Sequence, residues 1–165
     1  MSNSTRDQFN DLLRSEGLNA GIIPVSNIPN EESRLNEVNR LGILNRDLDQ
    51  EAQYNALTQL AAIITKSQIG LINILGSNIQ QCKTNFGFNV LESTLTEEMP
   101  REISICQYSL ASPQEPLIIN DLFLDERTKH FKKLEAYENL RFYAGSPLIS
   151  SRGFSIGTLC VIDDK

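Results

Sequence analysis

The apolar positions recur at helical spacing in the first part of the chain and crowd into short runs further on. From Asn30 to Gly42, Leu35, Val38 and Leu41 recur every third residue, which predicts a helix. Asn30 suits its N-cap, and Glu31 and Glu32 bring carboxylates to the positive end of the helix dipole. Gly42 suits a left-handed stop. A second helix is expected to start after Asp47 or Asp49 and to fade near Ser67, with Tyr54, Leu57, Leu60, Ala61 and Ile64 as its buried stripe. Residues 1–29 read as a leader with partial order at most. Asp7 to Arg14 can form a short helix, but Gly17, Gly21, Pro24 and Pro29 punctuate the rest of the leader.

The period then shortens. Ile69, Leu71, Ile72, Ile74 and Leu75 predict a strand, Gly76-Ser77-Asn78 a turn, and Ile79 to Phe86 a more polar strand pairing back. Gly87 to Pro100 reads as loop, Ser104 as the cap of a short helix through Leu110, and Pro116 to Asn120 as a brief strand. Phe131, Leu134 and Tyr137 give Lys129 to Asn139 a helical spacing. Arg141 to Ser150 and Gly153 to Asp163 read as two strands around the turn Ser150-Ser-Arg-Gly153. The last carries Ile156, Cys160 and Ile162 on one side and Leu159 and Val161 on the other, so it should be covered on both faces and lie centrally. Tight hairpins with helices before and between them imply an antiparallel sheet with helices packed on it.

Composition narrows the function. An apolar share of 40% and a charged share of 22% over 165 residues describe one globular domain. Fifteen basic against twenty-one acidic residues, a net charge of −6, repel phosphate backbones and anionic lipid, which argues against a nucleic-acid partner. No apolar run approaches the roughly 20 residues that span a bilayer, so this segment is not expected to insert in a membrane. The N-terminus lacks the apolar core of a signal peptide, and a cytoplasmic location is expected. Cys82, Cys106 and Cys160 are widely spaced and odd in number, pointing to reduced, mostly buried thiols rather than to a disulfide framework or a metal site. One histidine, His130, lies in a polar stretch, where exposure is expected. No nucleophile–base pair or phosphate-binding glycine loop is visible, so no catalytic residue is assigned.

Several ordered blocks resemble a known family. Leu140-Arg-Phe-Tyr-Ala-Gly-Ser-Pro-Leu148, followed by Gly153-Phe-Ser-Ile-Gly-Thr-Leu-Cys-Val-Ile-Asp163, resembles the closing strands of GAF domains of the bacterial sensory, signal-transduction branch. Upstream, Glu31 to Leu35, Leu41-Gly-Ile-Leu44, Arg101-Glu-Ile-Ser-Ile-Cys106, Pro116-Leu-Ile-Ile-Asn-Asp121 and Asp125-Glu-Arg127 resemble further blocks of that family in the same order. The resemblance covers about residues 30–165 and implies an α+β GAF fold. That fold has a central antiparallel sheet of about five or six strands with helices packed on its faces. Gly145 and Gly157 inside strands, and Pro147 near an edge or a bulge, fit a mainly structural role for these closing strands.

By the same resemblance, a small molecule is held between one sheet face and the segments above it. The pocket candidates are Ser104, Cys106, Tyr108, Asp121, Phe123, Arg127, Arg141 and Tyr143. Each has a structural alternative: Ser104 as a plain cap, Cys106 as a buried thiol, Tyr143 as core, and an Asp–Arg pair bracing the loop after Asp121. Bilin-binding relatives attach their chromophore to a cysteine followed by histidine. Gln107 follows Cys106 here, which argues against a covalent bilin, and the setting of His130 argues against haem. The cofactor is therefore left unknown.

The expected function is that of a non-catalytic sensory domain, binding an unknown small molecule or dimerising to control an output domain such as a histidine kinase or a cyclic-dinucleotide enzyme. The family implies that this chain is the N-terminal piece of a longer signalling protein, with a stand-alone protein as the alternative. A homodimer through the N-terminal helices is expected, with the stripe Leu35, Val38 and Leu41 as its motive. The alternatives are a ligand-free dimerisation scaffold and a GAF-type reductase of free methionine sulfoxide, the latter disfavoured because Cys82 and Cys160 fall within predicted strands.

Overall fold

The computed structural model describes residues 3–46, 52–87, 98–134 and 137–165. Helices α1 (Asn3–Ala20), α2 (Glu31–Leu41) and α3 (Ala52–Thr65) precede strands β1 (Ile69–Leu75), β2 (Ile79–Phe86), β3 (Glu98–Pro100), β4 (Leu117–Ile119), β5 (Phe142–Ile149) and β6 (Ser155–Asp163). The strands form one six-stranded sheet in the order β3-β2-β1-β6-β5-β4, and every pairing is antiparallel. This is the α+β architecture expected, with six strands. β6 lies between β1 and β5 and is covered on both faces, as its two-sided apolar pattern requires. Ile156 departs from that pattern and packs with Val38 and Ile74 rather than with Cys160 and Ile162.

The two sheet faces are covered differently. On one lies the main core, where Leu71 and Leu75 of β1, Tyr143 of β5 and Cys160 and Ile162 of β6 meet the wall segments 101–111, 131–134 and 137–140. On the other lie α2 and α3. Val38 packs on Ile74 and Ile156, with Leu41, Ile43, Leu44 and Leu148 around them. Gly42 ends α2 at φ 60, a left-handed conformation that needs glycine, as expected. Asn30 occupies the N-cap position but itself adopts φ 52 and makes no side-chain cap bond. The anchor is Arg34 instead, a buried residue whose guanidinium pairs with Glu31 and donates to the Leu75 and Gly76 carbonyls at 2.7 and 3.2 Å. It ties the helix to the β1–β2 turn.

Four expectations change. The stripe expected to bury α3 is largely exposed, with Leu57 47%, Leu60 52% and Ile64 70% accessible, while Thr58 and Ala62 face the sheet. The reason is close approach. A Cβ on Gly70 would stand 2.3 Å from the Thr58 carbonyl oxygen, so only small residues fit at the contact. The start of that helix near Asp47 or Asp49 lies outside the described residues. The leader forms the 18-residue helix α1, longer than Asp7 to Arg14, and Leu13, Ala20 and Ile22 reach the main core. Within the expected loop 87–100, Glu98–Pro100 forms β3, which pairs with β2 from Ile79 to Gln81; residues 88–97 lie outside the described residues. Where a helix was expected over Lys129 to Asn139, Phe131–Lys133 form a 3-10 turn and residues 135 and 136 lie outside the described residues; Phe131, Leu134 and Tyr137 are buried as their spacing predicted.

Candidate functional site

The functional candidates separate into an inner cavity and an outer cleft. The inner cavity, about 30 Å³, lies between the sheet face and the 3-10 helix Ile105–Ala111, and its lining includes Asn73, Gln80, Met99, Ser104, Cys106 and Tyr143. Ser104 caps that helix as its position predicted, accepting from the Cys106 amide at 3.1 Å, and its hydroxyl donates to Gln80 Oε1. The cap holds the start of the helix over the sheet and aims the Cys106 side chain inward.

Sulfur occupies the middle of the site. Asn73 Nδ2 donates to Cys106 Sγ at 3.4 Å and to Cys160 Sγ at 3.6 Å, and the Tyr143 hydroxyl donates to Cys106 Sγ at 3.3 Å. Gln80 Nε2 donates to Met99 Sδ at 3.5 Å. All six residues are buried. Thioethers and thiols accept weakly, so three good donors end on poor acceptors. Two further polar atoms, Asn73 Oδ1 and Thr158 Oγ1, are buried with no hydrogen-bond partner.

This environment splits the two thiols. The Cys160 thiol, with help from Tyr143 and Asn73, holds Cys106 down to about 6 against the opposing effect of burial. Cys160 is pushed up, first by its bond to Cys106 and then by burial. Burial also pushes the Tyr143 phenol well above its ordinary value, so it remains a donor. The backbone accommodates that ring at Gly145, two residues along β5, where a Cβ would stand 2.4 Å from the Tyr143 hydroxyl oxygen.

Gln107 faces the other way. Its Oε1 accepts from the Val25 amide at 2.9 Å and its Nε2 donates to the Glu102 carbonyl at 2.7 Å, which ties the leader to the outside of the wall. The position held by histidine in bilin-binding relatives is thus a strut here. His130 packs over Gly21 and is half-buried rather than exposed.

The remaining candidates gather away from the cavity. Tyr108 and Arg127 line an outer cleft of about 260 Å³ with Ser109, Ser112, Glu115 and Pro116 among others. The Tyr108 hydroxyl donates to the Ile23 carbonyl at 3.1 Å, and burial pushes its phenol up to about 12. The Asp–Arg pair exists, but Arg127 forms it with Asp125, at 2.9 and 2.6 Å. Asp121 instead accepts from the Phe123 amide at 2.8 Å, and the Arg141 guanidinium lies 3.9 Å over the Phe123 ring. Asp121, Phe123 and Arg141 therefore make a loop clasp outside both spaces.

Of the eight candidates, the structure brings Ser104, Cys106 and Tyr143 together. It adds Asn73, Gln80, Met99, Thr158 and Cys160, which sequence reasoning did not place in a site. A signal was present: Asn73 interrupts the apolar run of β1 and Thr158 that of β6.

A single antiparallel sheet carrying α2 and α3 on one face and the walled cavity on the other defines a small α+β module. The chain has the GAF fold. No family model matches the sequence. A cyclic di-GMP phosphodiesterase of Pseudomonas aeruginosa is 29% identical over 133 residues, covering 81% of this chain and 21% of that protein, so the chain spans about a fifth of the curated relative's length. The GAF domain region of a Geobacter sulfurreducens protein superposes with a TM-score of 0.55 at 17% identity, covering 75% of this chain and 82% of that one. A type II free methionine-R-sulfoxide reductase of Thermoplasma acidophilum gives 0.54 at 16% identity, covering 69% and 74%. Among the described residues, no helix is long and apolar enough to cross a membrane and no group of His, Cys, Asp and Glu side chains could hold a metal ion.

Proposed function

We propose that the chain is a regulatory domain that senses a small molecule in the inner cavity and transmits its occupancy to an output domain. A cyclic-dinucleotide enzyme, the activity of the Pseudomonas relative, is the example of such an output. The observation that carries the reading is the polar mismatch in the core. Asn73 Oδ1 and Thr158 Oγ1 lack partners, and the Asn73, Gln80 and Tyr143 donors end on sulfur. A fold optimised only for stability would fill those positions with apolar side chains, whereas a ligand would satisfy them.

Transmission runs through the sheet. Asn73 belongs to β1, and the next residue, Ile74, packs under Val38 of α2. A ligand that shifts β1 therefore biases α2, and a ligand able to do so must bind the two arrangements unequally. Native mass spectrometry of the protein purified from its own host should show an adduct, and hydrogen exchange should show slower exchange in β1 and α2 when the adduct is present. Protein that carries no adduct, and whose exchange is unmoved by a metabolite library, counts against the reading.

A second reading concerns assembly. The exposed face of α3, with Leu57, Leu60, Ile63 and Ile64, supports self-association through the N-terminal helices. It replaces the α2 stripe as the motive, because Val38 is buried inside the domain and Leu35 and Leu41 are half-buried. Sedimentation of the chain and of Leu60→Glu tests it. A concentration-independent monomer for the unmodified chain removes this reading.

A further inference from the structure

The inner site has a reactive as well as a binding character. We propose that Cys106 and Cys160 form a peroxide-responsive dithiol, in which hydrogen peroxide entering the inner cavity oxidises Cys106 and Cys160 then closes a disulfide onto it. This rests on the reading of the cavity as a sensory site and names its chemical class.

Three observations converge. First, both thiols are free and buried, and one amide, Asn73 Nδ2, touches both sulfurs, at 3.4 and 3.6 Å. Second, the groups around Cys106 are arranged for a thiolate. Asn73 and Tyr143 donate to its sulfur at 3.4 and 3.3 Å. Donors that are poorly used against a thiol are well used against a thiolate, whose full charge strengthens each hydrogen bond. The usual cationic neighbour of a reactive cysteine is replaced here by neutral donors. Third, the cavity beside Cys106 measures about 30 Å³. The space beside Cys106 admits a molecule as small as hydrogen peroxide.

The chemistry balances with hydrogen peroxide as the oxidant. The Cys106 thiolate attacks one peroxide oxygen, the O–O bond breaks, and hydroxide leaves, giving a sulfenic acid at Cys106. Cys160 then loses its proton and attacks that sulfur, forming the S–S bond and expelling the sulfenic oxygen as water. The Cys160 proton passes to the departing sulfenic oxygen, and the proton that Cys106 released on forming its thiolate turns the hydroxide of the first step into the second water. Two thiol hydrogens are lost overall and no reductant is consumed. The disulfide would join β6 to the wall helix and draw Cys106 away from Asn73, altering β1, the strand that supports α2.

The expected rate follows from the thiol's acidity. Held below its ordinary value, Cys106 carries more thiolate at pH 7, and that gain outweighs the accompanying loss of intrinsic nucleophilicity.

The test treats the folded, fully reduced chain with a few equivalents of hydrogen peroxide and follows intact mass, peptide mapping and dimedone labelling. The expected result is a loss of two hydrogens with a Cys106–Cys160 cross-linked peptide in the unmodified protein. Cys160→Ser should instead give a dimedone adduct on Cys106, Cys106→Ser neither product, and Cys82→Ser the unmodified behaviour. Tyr143→Phe should slow the reaction several-fold. A folded chain that stays reduced, reacts only after denaturation, or oxidises at Cys82 overturns the proposal. Binding of a host metabolite by such an inert chain would leave the broader sensory reading standing, so the two fail separately.

Discussion

The inner cavity and the outer cleft hold similar numbers of polar residues and differ in everything that gives polar residues their energy. The outer cleft is nearly nine times larger, about 260 against 30 Å³, yet its cation, Arg127, is already paired with Asp125 and its acid, Glu115, is exposed. Water screens whatever remains there. The inner cavity is small, but each polar atom in it sits among apolar side chains, where an unmet hydrogen bond is expensive and a met one is strong. Volume ranks the cleft first, whereas the energetics of the lining rank the cavity first.

That contrast can be broken or sharpened by substitution. The largest effect is expected from Gly145→Val. Its Cβ would meet the Tyr143 hydroxyl oxygen at 2.4 Å and ring carbons at 2.9 and 3.0 Å, with strand backbone on either side, and should destabilise the fold by about 2–3 kcal/mol in a denaturant melt. A change under half of that would mean that the Tyr143 ring moves freely and the inner site is not rigid.

Next comes a pH dependence confined to the inner site. Cys106 is held at about 6 against an ordinary 9.0, so its proton is bound less tightly in the folded chain than in the unfolded one. Its contribution to stability is complete above pH 9.0 and is lost as pH falls toward 6. Cys160, pushed in the opposite direction, offsets this only above its own ordinary range. The melting temperature should therefore rise from pH 6 to pH 9, and Cys106→Ser should flatten the rise. An unchanged slope in that variant would assign the effect elsewhere.

Asn73→Leu should act in an unusual direction. It removes a buried amide with one unmet acceptor and bonds only to sulfur, so stability should increase by about 1 kcal/mol while ligand binding and Cys106 reactivity fall. A loss of stability would show that the amide is structural. The smallest effect belongs to the outer cleft. Arg127→Ala breaks a half-exposed pair with Asp125 and should cost under about 1 kcal/mol, without touching the thiol chemistry.

The legibility of this molecule in its sequence follows the same division. The β1–β2 hairpin, the Ser104 cap, β4 and the closing pair β5–β6 were readable because turn residues and alternating apolar runs are local signals. Ser104, Cys106 and Tyr143 were readable through the blocks that contain them. α3 was misread for a specific reason: apolar periodicity identifies a helix but not which side faces its own domain. Gly70 admits Thr58 and Ala62 and turns the leucines and isoleucines outward. Arg127 pairs with an aspartate, as its structural alternative had it, but with Asp125 rather than Asp121, because Asp125 lies two residues away in a turn whose shape is not written in the spacing.

The sequence by itself determined the architecture, since periodicity, turn chemistry and the two-sided apolar strand β6 admit few antiparallel arrangements. Tertiary structure alone decided which candidates share the inner cavity and that Asn73 and Cys160 join them. Asn73, Cys106, Tyr143 and Cys160 come from β1, the wall helix, β5 and β6, and their convergence depends on strand register and on the angle of a capped 3-10 helix. The physical reason is range. Backbone preferences act over a few residues, whereas the unmet polar atoms that mark this cavity exist only once distant segments have excluded water together.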